Sequence, residues 1–232
     1  MDKLLNILGV TRQSSSHKEK FLSFLGGFLG IYAIFLVTRQ YFELAEAIYI
    51  IPSMGASAVL LFAAPHVPFS QPWNVFGGHL ISAIIGVACY QYIPDIHIAA
   101  AASVGLAIGA MYYTRCIHPP GGATALAAVI GSSHIHQLGY MYTITPVLIN
   151  TVTILFVAVT FNAFFPWRRY PAYFAQRHEP EKNADTHIYP PINHEDFVYA
   201  LSQVDSLVDI NENDLQEIYA LATGRHEILN KK

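Results

Sequence analysis

The chain has 232 residues, of which 53% are hydrophobic and 12% are charged, and its formal net charge is −3 at pH 7. Soluble domains carry roughly 25% charged residues, so this composition argues against a water-soluble protein. The segment from Phe21 to Trp167 contains only five charged residues, namely Arg39, Glu43, Glu46, Asp95 and Arg115. This distribution predicts an integral membrane protein in a lipid bilayer, and the lack of a basic patch in the sequence argues against nucleic-acid binding.

The apolar segments predict a transmembrane domain over residues 21–166. Residues 1–20 precede it and show no convincing cleavage site, so we expect a cytoplasmic tail there. Four segments approach the roughly 20 residues that span a bilayer, whereas the second and fifth are short or interrupted by proline. These two either cross the membrane or enter it as half-helices. In chain order, the segments lie at about residues 21–38, 44–64, 73–93, 97–114, 120–133 and 141–165.

Two of the segments begin with related sequences, which indicate an internal duplication. Residues 51–59 and residues 118–126 share the pattern Pro-x-x-Gly-Ala-(Ser/Thr)-Ala. The predicted repeats cover about residues 21–93 and 97–165. A unit of three spans reverses direction, so the two repeats are expected to be inverted. The predicted fold is therefore an all-α membrane protein with six transmembrane or partly re-entrant helices in two inverted three-helix repeats.

Basic residues at the two ends of this domain set its predicted orientation. Lys18 and Lys20 precede the first segment, and Arg168 and Arg169 follow the last one. Lys and Arg favour the cytoplasmic side, so both termini are expected in the cytoplasm. The predicted location is the inner, or plasma, membrane.

The sequence becomes polar after the last apolar segment. Residues 167–192 contain prolines and charges and are predicted to form a linker. Residues 193–232 contain two amphipathic patterns, at about residues 195–207 and 212–223. These patterns predict a short pair of cytoplasmic helices.

The two proline-containing breaks carry the candidate binding chemistry. A helix N-terminus presents unpaired N–H groups, glycine allows a ligand to approach the backbone, and hydroxyls add donors, which together favour an anion. Histidines inside membrane segments are also functional candidates because polar groups are costly there. The alternative is that both breaks serve packing only and that a backbone carbonyl satisfies each histidine. The predicted substrate-binding residues are Ser53, Gly55, Ser57, His79, His118, Gly121, Gly122 and Thr124.

Other chemistry has little support in the sequence. It contains no nucleophile–base pair, phosphate loop or metalloprotease pattern, so we expect no enzymatic activity, no metal and no cofactor. Interhelical hydrogen bonding is predicted for Asn74, Asn150 and Asn162. Small residues four apart predict close packing faces and suggest a homodimer. These faces comprise Gly78, Ser82 and Gly86 in one segment, and Ala101, Gly105 and Gly109 in the next.

A resemblance to the HPP family of integral membrane proteins is carried by the stretch Ile117-His118-Pro119-Pro120-Gly121-Gly122-Ala123-Thr124-Ala125. Residues 52–62 and 71–79 resemble the family as well, so the resemblance covers about residues 21–166. Family members in chloroplasts and cyanobacteria are linked to nitrite transport. The resemblance therefore implies a transporter or channel for a small anion, nitrite first. The alternative is a non-transporting scaffold or sensor that acts through its C-terminal helices.

Overall fold

The structure is a computed structural model that describes residues 16–43 and 51–175. Residues 1–15, residues 44–50, most of the predicted linker and the predicted helical pair within 193–232 lie outside the described residues. The described residues from Phe21 onward belong to one unit.

All regular structure in the described residues is helical, which confirms the predicted all-α class. Four helical segments are long and apolar enough to cross a membrane: α1 (His17–Thr38), α3 (Pro72–Tyr92), α4 (Ile96–Tyr113) and the segment Thr143–Ala163. Two apolar helices are shorter, namely α2 (Ile51–Ala63) and α5 (Pro119–Ile130). The remaining elements are α6 (Ser133–Leu138), α7 (Ile149–Ala163), α8 (Ala172–Ala175) and 3₁₀ turns at Pro68–Ser70 and Pro166–Arg168.

The two short helices correspond to the second and fifth predicted segments. With a rise of about 1.5 Å per residue, the 13 residues of α2 extend about 20 Å and the 12 residues of α5 about 18 Å. Both lengths fall short of the roughly 30 Å hydrocarbon core of a bilayer. Each helix has proline within its first two residues, where no backbone N–H is needed. The inverted relation of the two repeats stays a prediction.

Helix α3 packs against α4 and α5, and glycines of α3 allow the closest contacts. A Cβ atom at Gly78 would lie 2.5 Å from His118 Cβ. A Cβ atom at Gly86 would collide with the backbone oxygen of Ala125 on α5. The small residues of α3 therefore form the predicted packing face, along which the two helix backbones approach each other.

The small residues of α4 behave differently. A Cβ atom at Gly105 or Gly109 would meet no other atom within 4 Å. Ala101 on the same face is exposed. This second predicted packing face has no partner among the described residues.

The last predicted segment is interrupted, although its sequence was expected to form one helix. Residues Thr143–Leu148 form a π-helical turn, and Thr145 within it has extended angles (φ −121°, ψ 107°). Pro146 explains the break, because proline lacks a backbone N–H and disfavours helical angles in the preceding residue. The regular helix α7 begins at Ile149.

Arg168 is buried, with 1% of its surface exposed, although it follows the last predicted span. Its Nε donates to Asn162 Oδ1 (3.1 Å), and a terminal guanidinium nitrogen donates to the backbone oxygen of Phe62. Asn162 Nδ2 donates to Leu61 O (3.3 Å), as its predicted interhelical role requires. These bonds satisfy carbonyls at the C-terminal end of α2, where a cation also complements the helix dipole.

The chain after α7 forms a strap, residues 166–172, that binds the loop between α2 and α3, residues 64–71. Tyr170 OH donates to Ser70 O (2.6 Å), and the backbone N–H of Ala172 donates to Gln71 Oε1 (2.9 Å). Burial raises the pKa of Tyr170, so its phenol keeps the proton that it donates. The strap therefore fixes the position of this loop.

We predict that Arg168→Met destabilises the protein and that Arg169→Met, at the exposed neighbouring position, does not. Losing the guanidinium leaves Asn162 Oδ1 and Phe62 O without this donor, at a cost of about 1–3 kcal/mol for each buried unsatisfied group. Thermal unfolding in detergent should show a lower Tm for Arg168→Met alone. Equal Tm values for the two variants would contradict this role of Arg168.

We also predict that Gly86→Val destabilises the protein by about 1–3 kcal/mol or prevents folding, because the added atoms overpack the contact with α5. Gly105→Val on α4 provides the matched control, since its side chain enters open space. Fluorescence-detected size-exclusion chromatography and Tm measurements compare the two. A Gly86→Val protein as stable as the Gly105→Val protein would show that α3 and α5 do not pack this closely.

Candidate functional site

The turn between α4 and α5 places His118 at the start of α5. Arg115 has a φ angle of 55°, a left-handed conformation of the kind that ends helices. Asn74 Nδ2 on α3 then donates to Ile117 O (2.8 Å), so Asn74 bonds the turn between α4 and α5 and not the neighbouring helix that was predicted. These contacts leave His118 as the N-cap residue of α5.

His79 on α3 connects the two repeats of the sequence. Its Nε2 lies 2.8 Å from Ser57 Oγ on α2, and its Nδ1 lies 2.8 Å from Thr124 Oγ1 on α5. Ser57 and Thr124 occupy equivalent positions in the duplicated pattern. One imidazole ring therefore bridges equivalent hydroxyls of the two short helices, and both of its nitrogens have a partner.

His118 extends the same chain of hydrogen bonds. Its Nε2 lies 2.9 Å from Ser57 Oγ, and its Nδ1 lies 2.8 Å from Phe69 O in the loop before α3. The ring centroids of His79 and His118 are 4.8 Å apart, and the rings cross at 68°. We call Ser57, His79, His118 and Thr124 the histidine cluster.

The histidine cluster is shielded from the protein surface, since none of its four residues is more than 1% exposed. Tyr142, which precedes the π-helical turn, packs on it and donates from its hydroxyl to Thr124 O (3.2 Å). The hydrogen bonds of the two imidazoles stay within the cluster or end on Phe69 O. No acidic or basic side chain of the described residues therefore pairs with either ring.

The hydrogen-bond network assigns the tautomer of each ring when both histidines are neutral. A carbonyl only accepts, so His118 carries its hydrogen on Nδ1, bonded to Phe69 O, and accepts from Ser57 at Nε2. The only hydroxyl hydrogen of Ser57 is then used. His79 consequently donates from Nε2 to Ser57 Oγ and accepts from Thr124 at Nδ1. All four bonds run in one direction, from Thr124 to Phe69 O.

Four of the eight predicted site residues form the histidine cluster, and two others support it. Ser53 contributes its backbone oxygen, which lies 3.1 Å from Ser57 Oγ. Gly121 brings α5 close to α3, since a Cβ atom there would lie 2.8 Å from Gly78 O. The role of Gly121 in this structure is close helix packing.

The two glycines of the duplicated pattern, Gly55 and Gly122, lie on the far faces of their helices. Residues two apart differ in direction by about 200° on a helix, so these glycines point away from Ser57 and Thr124. A Cβ atom at Gly55 would meet no atom within 4 Å, and one at Gly122 would contact only Val104 Cγ1, at 3.7 Å. The structure does not bring either glycine into the histidine cluster.

Two groups of the site belong to no motif of the sequence and were not predicted. Phe69 takes part only through its backbone oxygen, and the identity of a side chain does not indicate that the backbone of that residue binds a histidine. Tyr142 is one of 14 tyrosines, and its contact with α5 depends on how the chain returns before the Pro146 break. A phenol inside an apolar segment was the one available signal for Tyr142, because buried tyrosine hydroxyls need a partner.

No group of three or more His, Cys, Asp or Glu side chains that could hold a metal ion occurs within residues 16–43 and 51–175. The pair His134 and His136 on α6 does not form one either, since His136 Nε2 lies 3.0 Å from Val129 O and its ring stacks on Tyr90.

Sequence comparison identifies the family. The family described as HPP, transmembrane region, matches residues 12–171, which is more than half of the chain. The chain belongs to the HPP family. In this HPP protein, the tripeptide His118-Pro119-Pro120 supplies one imidazole of the histidine cluster and the first turn of α5.

The curated relatives of this HPP protein include two transmembrane proteins of Dictyostelium discoideum. They are 38% and 35% identical to it over 156 residues, which is 66% of this chain in both cases. The matches cover 50% and 54% of the relatives, so the chain spans about half of their length. No solved structure matches the HPP protein.

We predict that His118→Asn folds like the wild type, whereas His118→Ala is destabilised by about 1–3 kcal/mol. The Asn amide reaches the position of Nδ1 and donates to Phe69 O, and Asn is a favourable N-cap residue. Ala leaves that carbonyl without a donor. Both variants lose the acceptor His118 Nε2, and in both the Ser57 hydroxyl turns to Ser53 O. The loss of this bond therefore does not contribute to the difference in stability between the two variants. Tm values in one detergent test the prediction, and a His118→Ala protein as stable as His118→Asn would contradict it.

Proposed function

We propose that this HPP protein transports a small inorganic anion, nitrite first, across the membrane. The observation that carries the proposal is the bridge from Ser57 through His79 to Thr124, which joins equivalent hydroxyls of the two short helices. In transporters built from repeats, substrate sites form where interrupted helices of the two halves meet. A buried polar cluster inside an apolar bundle is costly and is a functional site by default.

The histidine cluster offers hydrogen-bond donors to an anion. Its two hydroxyls and two imidazole N–H groups satisfy one another and Phe69 O in this structure. An anion that enters between the short helices takes the place of Ser57 Oγ as the acceptor for His79 and receives the hydroxyl hydrogens of Ser57 and Thr124. Hydrogen bonds to a charged acceptor are stronger than neutral ones, which favours this exchange.

The short helices supply the proposed movement. Helix α2 reaches the cluster through Ser57, and helix α5 reaches it through Thr124 and its N-cap His118. A displacement of α2 separates Ser57 from both rings, whereas a displacement of α5 separates Thr124 from His79. Each displacement exposes donors along a different helix, as alternating access requires.

The topology and location complete the proposal. We propose six segments in two inverted three-helix repeats, with both termini in the cytoplasm and the domain in the inner, or plasma, membrane. The duplicated helix starts and the basic residues at both ends of the domain support this arrangement. We propose transport rather than enzymatic chemistry, because no carboxylate of the described residues orients either imidazole as in a nucleophile–base arrangement.

A membrane scaffold or sensor is the second candidate function, and one contact favours it. The strap binds Ser70 and Gln71, which follow directly on Phe69, the carbonyl partner of His118. The chain that leads toward the predicted C-terminal helices is thereby connected to the histidine cluster. In a sensor, this connection would carry a signal in place of solute flux.

We predict that Ser57→Ala and Thr124→Val each reduce saturable nitrite uptake into proteoliposomes at least about tenfold, since each removes a hydrogen bond to a charged ligand. Ser103→Ala is the matched control, because Ser103 is buried and donates only to Ala100 O (2.8 Å) within α4. Nitrate, formate and chloride serve as competitors. Empty liposomes set the background, because nitrous acid crosses bilayers unaided.

Uptake equal to the wild type in both cluster variants would remove the histidine cluster from the transport path. No saturable uptake of any of these anions by folded wild-type protein would favour the scaffold or sensor. Reduced uptake in Ser103→Ala as well would show that the assay reports folding and not the site.

A further inference from the structure

We propose that the histidine cluster binds one proton, on His118 Nε2, and that this proton crosses the membrane together with the anion. The inference rests on the proposed anion transport and names its co-substrate. It follows from the acceptors that each hydroxyl of the cluster can reach, because these acceptors decide where an additional hydrogen fits.

The Ser57 hydroxyl has two acceptors within reach. In the neutral cluster it donates to His118 Nε2, at 2.9 Å, but Ser53 O also lies only 3.1 Å away. When the hydroxyl turns to Ser53 O, His118 Nε2 is free to bind a proton and to donate it to Ser57 Oγ. Without an anion, the two lone pairs of Ser57 Oγ then accept from His118 and His79, so every hydrogen bond is satisfied before and after protonation. With an anion bound, His79 and the Ser57 hydroxyl donate to the anion, and Ser57 Oγ still accepts from His118.

The proton step is balanced within this geometry. Uptake from water forms one N–H bond at His118 Nε2 and breaks no bond of the protein, since the O–H bond of Ser57 only changes its acceptor. Release to water on the other side breaks that N–H bond, and the Ser57 hydroxyl returns to His118. Within the cluster itself, the change needs only this hydroxyl rotation, whereas access for the proton comes with the proposed displacement of α2 or α5.

A second proton does not fit equally well. It would occupy His79 Nδ1, which requires Thr124 to turn its hydroxyl to Pro120 O, at 3.5 Å. That distance is long for a hydroxyl donor. Two imidazolium rings with centroids 4.8 Å apart would also repel each other. The cluster therefore has a capacity of one proton.

Among residues 16–43 and 51–175, the groups around the cluster leave the added charge without a counter-ion. The titratable groups near the cluster are Tyr142, whose hydroxyl donates to Thr124 O, and Cys116, which packs beside Gly77 of α3. In the loop before α3, His66 is bonded to Arg169 O. Helices α2 and α5 contain no titratable side chain.

The anion is consequently the group that neutralises the protonated ring. Burying a charge alone is far more costly than burying a hydrogen-bonded pair of opposite charges. Binding of the anion and binding of the proton must favour each other by the same factor. Transport of the pair is electroneutral, so a pH gradient drives it and a membrane potential does not.

Solid-state nitrogen NMR of the full chain, labelled with ¹⁵N-histidine and reconstituted in bilayers, tests the proton site directly. Difference spectra against His79→Asn and His118→Asn assign the two rings. We expect His118 protonated on Nδ1 alone and His79 on Nε2 alone at high pH. Lowering the pH with nitrite present should give His118 a second proton and leave His79 unchanged. Identical tautomers, first protonation of His79 or protonation of both rings would overturn the inference.

Coupled flux tests the second half of the proposal. Proteoliposomes with an internal pH dye report protons and nitrite taken up by the saturable component, and a potassium ionophore sets the membrane potential. We expect about one proton for each nitrite and no effect of the potential on the wild type. His118→Asn should lose the coupled protons, whereas Ser103→Ala should keep the wild-type ratio.

Saturable uptake that follows the potential without protons overturns the coupling but leaves the proposed anion transport intact. Absent uptake overturns the transport, while the NMR result still decides whether the cluster binds a proton.

Discussion

A buried imidazole needs a partner at each ring nitrogen, and this requirement organises the centre of the molecule. His79 meets it with one hydroxyl from each short helix, so α2 and α5 must both reach the same ring of α3. Prolines set where these helices begin, and Gly78 and Gly86 let α5 approach α3 at backbone distance. Hydrogen bonding at the His79 ring and close packing of α5 on α3 therefore both fix the same relative position of these helices. Neither would hold its geometry without the other, because a shift between α3 and α5 by one turn would separate Thr124 from His79.

The position of α2 depends on contacts at two places along it. Ser57 holds its middle through the two histidines, while Arg168 and Asn162 hold the carbonyls of its last turn. A short helix that ends within an apolar bundle leaves carbonyls that neither water nor lipid satisfies, and a long side chain from a neighbouring segment is one of few solutions. The same stretch of chain continues as the strap, which fixes the loop that carries Phe69. The chain after α7 thus stabilises the end of α2 and also positions the carbonyl that orients His118.

The sequence predicts much of this architecture because it depends on composition and local pattern. Hydropathy indicates the long helices, proline indicates where α2 and α5 begin, and the duplication indicates that Ser57 and Thr124 are related. Counting charges does not reveal that Arg168, one of the residues used to predict the cytoplasmic side, is buried against carbonyls of α2. The orientation itself stays a prediction. Pattern-based reasoning fails at Gly55 and Gly122, because the shared motif does not reveal that positions two apart on a helix face opposite sides. The sequence does not reveal the contact of Phe69 O with His118, since this contact depends on how distant segments meet. The break at Pro146 has a local cause that the hydropathy of the segment hides.

The duplication is not complete, and this has a consequence for direction. Position 51, which is equivalent to His118, holds isoleucine, and His79 belongs to α3 in the first repeat only. In an inverted pair of identical halves, a solute would meet the same groups in the same order from either side. Here Thr124 stands at one end of the chain of hydrogen bonds and a backbone carbonyl at the other. The centre of this protein is chemically polar, so in the proposed transport an anion would meet different groups first depending on the side from which it enters.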